Sequence, residues 1–72
     1  MAKYKSIAGT DTPGREYDMR GACQICKSNE NEVIYDARIP VYGSWAYVCE
    51  DCFTDYQCAL GSGLGQKFER VG

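Results

Sequence analysis

Four of the five cysteines in the chain fall into two Cys-x-x-Cys pairs, Cys23 with Cys26 and Cys49 with Cys52. Four such thiolates bind Zn²⁺ in closed tetrahedral sites, which leave no position for water or substrate. The 22 residues between the pairs exceed the roughly 15 to 20 typical of this pattern, but a longer closed loop costs only logarithmically more. We therefore predict one structural Zn²⁺ bound by Cys23, Cys26, Cys49 and Cys52.

Iron is an alternative metal, because rubredoxin uses two similar knuckles and thiolate tetrahedra suit either ion. Rubredoxin knuckles usually continue with glycine, whereas Lys27 and Phe53 follow the two pairs here. A disulfide framework is also disfavoured, since five cysteines cannot all pair. Zinc is the predicted cofactor, and a rubredoxin-like electron-transfer protein is kept as the less favoured interpretation.

The fifth cysteine, Cys58, lies six residues beyond Cys52. On a helix that spacing points its side chain away from Cys52. Free cysteine is among the most buried residue types, so we interpret Cys58 as a small apolar core residue. A spare ligand or a redox thiol is the alternative.

The composition excludes several classes of enzyme. The chain has no histidine, which removes Ser-His-Asp and Cys-His catalysis, the HExxH metalloproteases and the HxE deaminases. No pairing of carboxylates or of Cys58 stands out as catalytic machinery. We expect a protein that is not an enzyme.

Charge and length add two further constraints. The formal net charge is −2 and a zinc tetrathiolate takes it to about −4, so the molecule as a whole does not attract phosphate backbones. The hydrophobic core of a chain of 72 residues rarely gives a folding stability above about 3 to 5 kcal/mol. The free energy of structural zinc binding in small peptides is larger, about 10 to 16 kcal/mol. Metal binding and folding are therefore expected to be one event.

The patterns around the cysteines predict the elements that position them. Residues 33–39 and 45–48 are rich in β-formers and flank a turn, which indicates a hairpin between the two pairs. Residues 50–60 change to the helical period and stop at Gly61, and a short closing strand follows. The predicted fold class is a small metal-stabilised α+β protein resembling a treble-clef zinc finger: a knuckle, a β-hairpin and a C-terminal α-helix. A zinc ribbon is the alternative.

The domain division follows from the turn formers near the start of the chain. Residues 1–20 contain the run Gly9 to Gly14 with scattered apolar residues, which indicates a flexible N-terminal arm. The alternation of Tyr17 and Met19 permits an edge strand instead. Residues 21–72 form the predicted four-cysteine zinc-binding domain, with Trp45 and Phe53 expected in its core.

Three motifs carry a resemblance to a known class of protein: Gly43-Ser44-Trp45-Ala46, the Cys49-to-Phe53 segment, and the tail with Gly61, Gly63, Gly65 and Gln66. Together they resemble small cysteine-rich proteins encoded by bacteriophages and related mobile elements, over roughly residues 21 to 70. The resemblance implies a zinc-binding fold and a phage context, and it implies no assigned activity.

The expected function is a zinc-stabilised protein-interaction module that docks a protein partner, a host protein if the chain is phage-encoded. The alternative is a nucleic-acid-binding zinc finger that uses basic side chains. No run of about 18 apolar residues and no signal peptide is apparent, so we expect a cytoplasmic protein without membrane contact. The basic residues for the alternative are Lys3, Lys5, Lys27, Arg38, Lys67 and Arg70.

Overall fold

The structure is a computed structural model that describes residues 2–29, 31–61 and 63–72. The described chain forms a five-stranded antiparallel sheet of order β2-β1-β5-β3-β4 and one short helix. It is a small α+β protein made mostly of strands. The elements are β1 Ala2–Ala8, β2 Glu16–Met19, β3 Val33–Ile39, β4 Ser44–Cys49, α1 Glu50–Asp55 and β5 Gly65–Arg70.

The predicted hairpin is confirmed as strands β3 and β4, which pair from Ile34 opposite Cys49 to Ile39 opposite Ser44. At the turn, the backbone N–H of Gly43 donates to the carbonyl of Ile39 at 2.7 Å. Gly43 has a φ of 69°, a left-handed conformation that glycine adopts without a steric cost. The hairpin therefore places Cys49 at the end of β4, which is an edge strand of the sheet.

The predicted helix is confirmed at its start and wrong at its end. Helix α1 ends at Asp55, and Gln57 takes a left-handed φ of 55°. The helical spacing through Leu60 was misleading, because both Gln57 and Leu60 are exposed. The chain instead returns to the sheet, and the predicted closing strand is present as β5, in the middle of the sheet between β1 and β3.

The first twenty residues differ from the expected flexible arm. Strand β1 lies inside the sheet, between β2 and β5, and Tyr4 is fully buried. The signal is the alternation of buried Tyr4 and Ser6 with exposed Lys3 and Lys5, which is the period of a half-buried strand. The glycine- and proline-containing run that indicated flexibility is the connection between β1 and β2.

Both faces of the sheet are partly covered. On one face, Tyr35, Ala37 and Ile39 belong to the larger core cluster, against which Phe53 of α1 packs; its ring stacks on Tyr35 with 3.9 Å between centroids. On the opposite face, the buried side chains of Tyr4, Ile34 and Phe68 form a second cluster.

Trp45 does not belong to either core cluster. The expectation that it is buried is wrong, because its side chain is 47% exposed.

None of the helical structure in the described residues has the length and apolar character of a membrane-spanning segment.

Candidate metal centre

The first cysteine pair lies on a tight knuckle between β2 and β3. The backbone N–H of Lys27 donates to the carbonyl of Cys23 at 3.0 Å, and the N–H of Cys23 donates to the carbonyl of Ser28 at 2.9 Å. Lys27 has a φ of 66°, a left-handed conformation that costs a residue with a Cβ about 1 to 2 kcal/mol. The fold-back turns the Cys26 N–H toward the Cys23 Sγ at 3.5 Å.

The loop that follows this knuckle is braced by an asparagine. The side-chain amide of Asn31 donates to the carbonyl of Gly21 at 2.8 Å and to that of Ser28 at 3.3 Å. These bonds close the loop around the knuckle from its two ends. Sequence reasoning missed Asn31, although asparagine's ability to satisfy nearby backbone groups is a known turn signal.

The second pair is positioned by the junction of β4 and α1. Cys49 is the last residue of β4 and the N-cap of the helix, and Cys52 lies within its first turn. Residues three apart on a helix share one side, which places both sulfurs toward the first knuckle. The prediction that α1 carries the second pair in its first turn is therefore confirmed for Cys52, with Cys49 at the cap.

The structure brings the four predicted thiols together. Their sulfurs all lie within 4.8 Å of one another; Cys23 Sγ is 3.6 Å from Cys52 Sγ, and Cys26 Sγ is 3.7 Å from Cys49 Sγ. A regular tetrahedron with metal–sulfur bonds near 2.3 Å has edges of about 3.8 Å. Disulfide sulfurs would be about 2.05 Å apart. The donor set and its spacing therefore fit one metal ion.

One of the four thiols is more accessible than the others. Cys23, Cys49 and Cys52 are buried, with exposures of 1%, 7% and 6%, whereas Cys26 is exposed. The Sγ of Cys26 lies 3.2 Å from the Ser28 hydroxyl. A metal ion at this centre would be enclosed by protein on three sides, with the Cys26 corner facing solvent.

The pKa values of the thiols follow their surroundings. The Ser28 hydroxyl and backbone N–H lower the pKa of Cys26 to about 6. At Cys23, burial raises the pKa, but the N–H groups of Cys26, Cys49 and Ile25 together hold it below its usual range. Burial raises the pKa of Cys49 and of Cys52. A cation is therefore needed to hold all four groups as thiolates at neutral pH.

Cys58 stands outside this centre. It is half-buried and packs against the larger core cluster, and burial raises its pKa. It is not one of the four clustered thiols. Its surroundings agree with the interpretation as a small apolar side chain.

The basic residues expected for nucleic-acid binding do not share one surface. Lys67 pairs with Tyr35 across the sheet, and its ammonium lies 5.8 Å from the Tyr35 ring centroid. Arg38 is three residues from Tyr35 on the same strand, so it points to the opposite face. Lys3 lies 3.8 Å from the carboxylate of Glu16. The strand register places Lys5 on the same face as Lys67, beside Glu69, and Arg70 on the same face as Arg38, so the basic residues are divided between the two faces of the sheet.

Comparison with known proteins found no matching family model, no matching curated protein and no matching solved structure. The resemblance to phage proteins receives no support from these comparisons and stays a prediction.

Proposed function

We propose that this chain binds one Zn²⁺ through Cys23, Cys26, Cys49 and Cys52, and that the metal-stabilised domain is a protein-interaction module. The observation that carries the metal assignment is the spacing of the sulfurs, 3.6 and 3.7 Å across two pairs, which suits a tetrahedral thiolate site. Zinc supplies structural stability here, because four protein ligands leave no coordination position for chemistry.

The treble-clef arrangement belongs to this proposal. The order of knuckle, hairpin and helix around the four thiols supports it, with Cys52 in the first turn of α1. The six-residue length of α1 and the five-stranded sheet are departures from a simple finger. The proposal is therefore a treble-clef-like metal centre built onto one end of a larger sheet.

Elemental analysis separates zinc from iron. Protein purified from cells grown with both metals should contain about one zinc per chain. Replacement by Co²⁺ should give the absorption of a tetrahedral tetrathiolate, and Cys26→Ser should alter that spectrum while the matched control Cys58→Ser should leave it unchanged. A folded chain without stoichiometric metal contradicts the zinc assignment. A chain that carries iron supports the rubredoxin-like interpretation instead.

Exposed apolar side chains on the β3–β4 hairpin support the interaction role. Val41 and Tyr42 at the turn are 71% and 59% exposed, and Trp45 and Tyr47 follow on β4 with nearly half of each side chain accessible. Large aromatic residues are enriched where proteins bind one another. Tyr42 contacts Tyr56 on the helix side of the sheet, and Trp45 and Tyr47 lie on the opposite face, so the hairpin offers apolar side chains on both of its faces.

A partner-capture experiment tests the interaction role. Zinc-loaded protein is used as bait against host-cell extract, alongside Tyr42→Ser, Tyr47→Ser and a control that removes an exposed apolar residue outside the hairpin, Leu64→Ser. We expect one reproducible partner that is retained by the control and lost with the hairpin variants. Equal capture by all three variants, or no partner at all, contradicts the proposed role of the hairpin.

A nucleic-acid-binding zinc finger is the second candidate, and one observation favours it. Trp45 and Tyr47 are exposed on the same sheet face, where bases can stack on them. The divided basic residues and the net charge of −2 count against it. Binding to single-stranded DNA that weakens steeply with salt would support this candidate, and absence of such binding would remove it.

The cellular context belongs to the same proposal. We propose a cytoplasmic protein of a phage or mobile element, whose partner is host machinery. The support is the sequence resemblance of residues 21 to 70. Identification of a host protein in the capture experiment is the direct test.

A further inference from the structure

Trp45 lines a cavity of about 300 Å³ that contains none of the cysteines of the metal centre. Trp45 and Gln66 share a sheet face, because their cross-strand partners on β3, Arg38 and Asp36, are two residues apart. The cavity thus combines one flat aromatic ring with several hydrogen-bonding groups. Its lining consists of Trp45, Gln66, the β1–β2 connection residues Thr10, Asp11 and Thr12, and three glycines.

The wall that carries Asp11 is held by a close backbone contact. A Cβ on Gly9 would overlap the carbonyl oxygen of Gly65, and Gly9 has a φ of 73°. Any side chain there would push the β1–β2 connection away from β5. In addition, the Ser6 hydroxyl donates to the carbonyl of Thr12 at 3.0 Å. The connection is therefore anchored at both ends of the segment that lines the cavity.

The negative charge of the cavity lining favours a cationic ligand. Among the described residues that form the cavity, Asp11 is the charged one, and the others are neutral. A guanidinium stacks on an indole by cation–π attraction and donates two hydrogen bonds to one carboxylate. Its remaining N–H groups suit the Gln66 carbonyl and the threonine hydroxyls. Lysine lacks the planar group for this combination.

Arg38 is the cross-strand neighbour of Trp45, and its positive charge affects which ligand the cavity can bind. Its side chain is exposed and is not part of the cavity lining. A nearby positive charge weakens the binding of a cation and strengthens the binding of an anion. The effect of removing it therefore has opposite signs for a guanidinium and for a nucleic acid.

We propose that this cavity binds an arginine side chain of the partner protein, with the guanidinium stacked on Trp45 and paired with Asp11. The proposal rests on the proposed protein-interaction function and specifies the chemistry of its partner. The negative balance of the chain complements an arginine-bearing segment, and arginine is over-represented among the residues that dominate binding energy at protein interfaces.

Tryptophan fluorescence tests the proposal directly, because Trp45 is the single tryptophan of the chain. Zinc-loaded protein is titrated with capped glycine pentapeptides that contain arginine, lysine or citrulline at the centre. We expect the arginine peptide to perturb the emission and to bind about tenfold more tightly than citrulline and several-fold more tightly than lysine. Equal effects of the three peptides, or no effect at millimolar concentration, overturn the proposal.

Three variants distinguish an arginine side chain from a nucleic acid as the ligand of the cavity. The NMR spectrum of each variant is first compared with that of the parent protein to confirm an unchanged fold. Asp11→Asn should weaken the arginine peptide about fivefold or more, whereas Glu69→Gln, which makes the same charge change on the opposite sheet face, should have little effect. Arg38→Gln should strengthen it. Weakening of oligo(dT) binding by Arg38→Gln, without any arginine preference, would assign the cavity to nucleic acid and overturn the proposal.

The outcomes remain separable from those of the proposed function. Failure of the arginine preference removes this cavity as the docking point and leaves the metal content and the capture of a partner by the hairpin as independent results. If no partner is captured but the arginine peptide still binds more tightly than the lysine and citrulline peptides, the interaction role of the hairpin is contradicted. The arginine-binding property of the cavity is then retained.

Discussion

The side-chain amide oxygen of Gln24 accepts a hydrogen bond from the backbone N–H of Tyr47 at 2.7 Å, while the N–H of Gln24 donates to the Tyr47 carbonyl at 2.8 Å. Strand β4 lies at the edge of the sheet, so in the described chain no neighbouring strand takes up these two backbone groups. One residue of the first knuckle therefore completes the edge of the strand that ends at Cys49. This attachment fixes the separation of the two cysteine pairs.

Loss of the Gln24 side chain should destabilise the zinc-loaded protein. Gln24→Ala removes the acceptor for Tyr47, and we expect the free energy of unfolding to fall by about 0.5 to 1.5 kcal/mol. Gln24→Glu keeps an oxygen at the same reach and should lose less. Urea titrations at fixed free zinc measure both, and an equal loss for the two variants would contradict a role for the hydrogen bond.

The left-handed conformation of Lys27 makes a second prediction. Lys27→Gly relieves the steric cost of a φ of 66°, and this gain competes with the added backbone entropy of glycine. We expect a change between zero and about 1 kcal/mol of added stability. Lys27→Val should instead destabilise by about 1 kcal/mol or more, because a β-branched residue fits this region poorly. If urea unfolding found the valine variant more stable than the glycine variant, the knuckle geometry would be wrong.

Removal of the metal should unfold the chain. The free energy of structural zinc binding, about 10 to 16 kcal/mol in small zinc peptides, exceeds the roughly 3 to 5 kcal/mol expected from this core. A strong chelator should collapse the dispersed amide spectrum, and added zinc should restore it. Cys23→Ser and Cys52→Ser should resemble the chelated protein, whereas Cys58→Ser should remain folded. Equal tolerance at all three positions would exclude the four-thiol centre.

Metal affinity should weaken as the pH falls. Burial raises the pKa of Cys49 and Cys52, so both carry protons at neutral pH in the metal-free centre and binding must release them. Each released proton weakens affinity about tenfold per pH unit, and below a pH of about 6 Cys26 also takes up a proton. The metal-linked stability is thus present at high pH and lost in acid. Chelator competition from mildly alkaline to mildly acidic pH measures the slope, and a flat profile would refute it.

The elements nearest the cysteines were predictable from the sequence because their signals are local. The spacing of Cys49 and Cys52 and the alternation through 33–39 each fix one short piece of backbone, and both appear as expected. The end of α1 was not predictable from periodicity, since Gln57 and Leu60 matched the helical spacing while facing solvent. Tertiary pairing of β5, rather than helix propensity, decides where that segment goes.

Long-range relationships account for the other differences. Tyr4 is buried because β5 and β2 flank its strand. The pairing of β1 with the distant strand β5 could not be predicted from residues 1–20 alone. Trp45 was assigned to the core on size, yet its sheet face is covered near Tyr4 and Phe68 and left open beyond them. Which face a strand buries is a property of the assembled sheet, so a single strand's pattern underdetermines it.

The contact between Tyr4 and Gly21 offers the sharpest test of the packed first strand. The Tyr4 hydroxyl donates to the carbonyl of Asn31, and a Cβ on Gly21 would overlap the same hydroxyl oxygen. Tyr4→Phe should cost about 1 to 2 kcal/mol, since the half-buried carbonyl loses its donor. Gly21→Ala should cost more, because it adds this clash to a φ of 68°.

The two changes should also be coupled, which a double-mutant cycle measures. Removing the Tyr4 hydroxyl relieves the nearest clash of the new Cβ, so Gly21→Ala should cost less in the Tyr4→Phe protein than in the parent. We expect a coupling free energy of about 0.5 kcal/mol or more by urea unfolding of the zinc-loaded proteins. A matched pair on the exposed side of the strand, Lys5→Ala with Gly21→Ala, should be additive. Additivity in both cycles would mean that β1 does not pack beneath this loop.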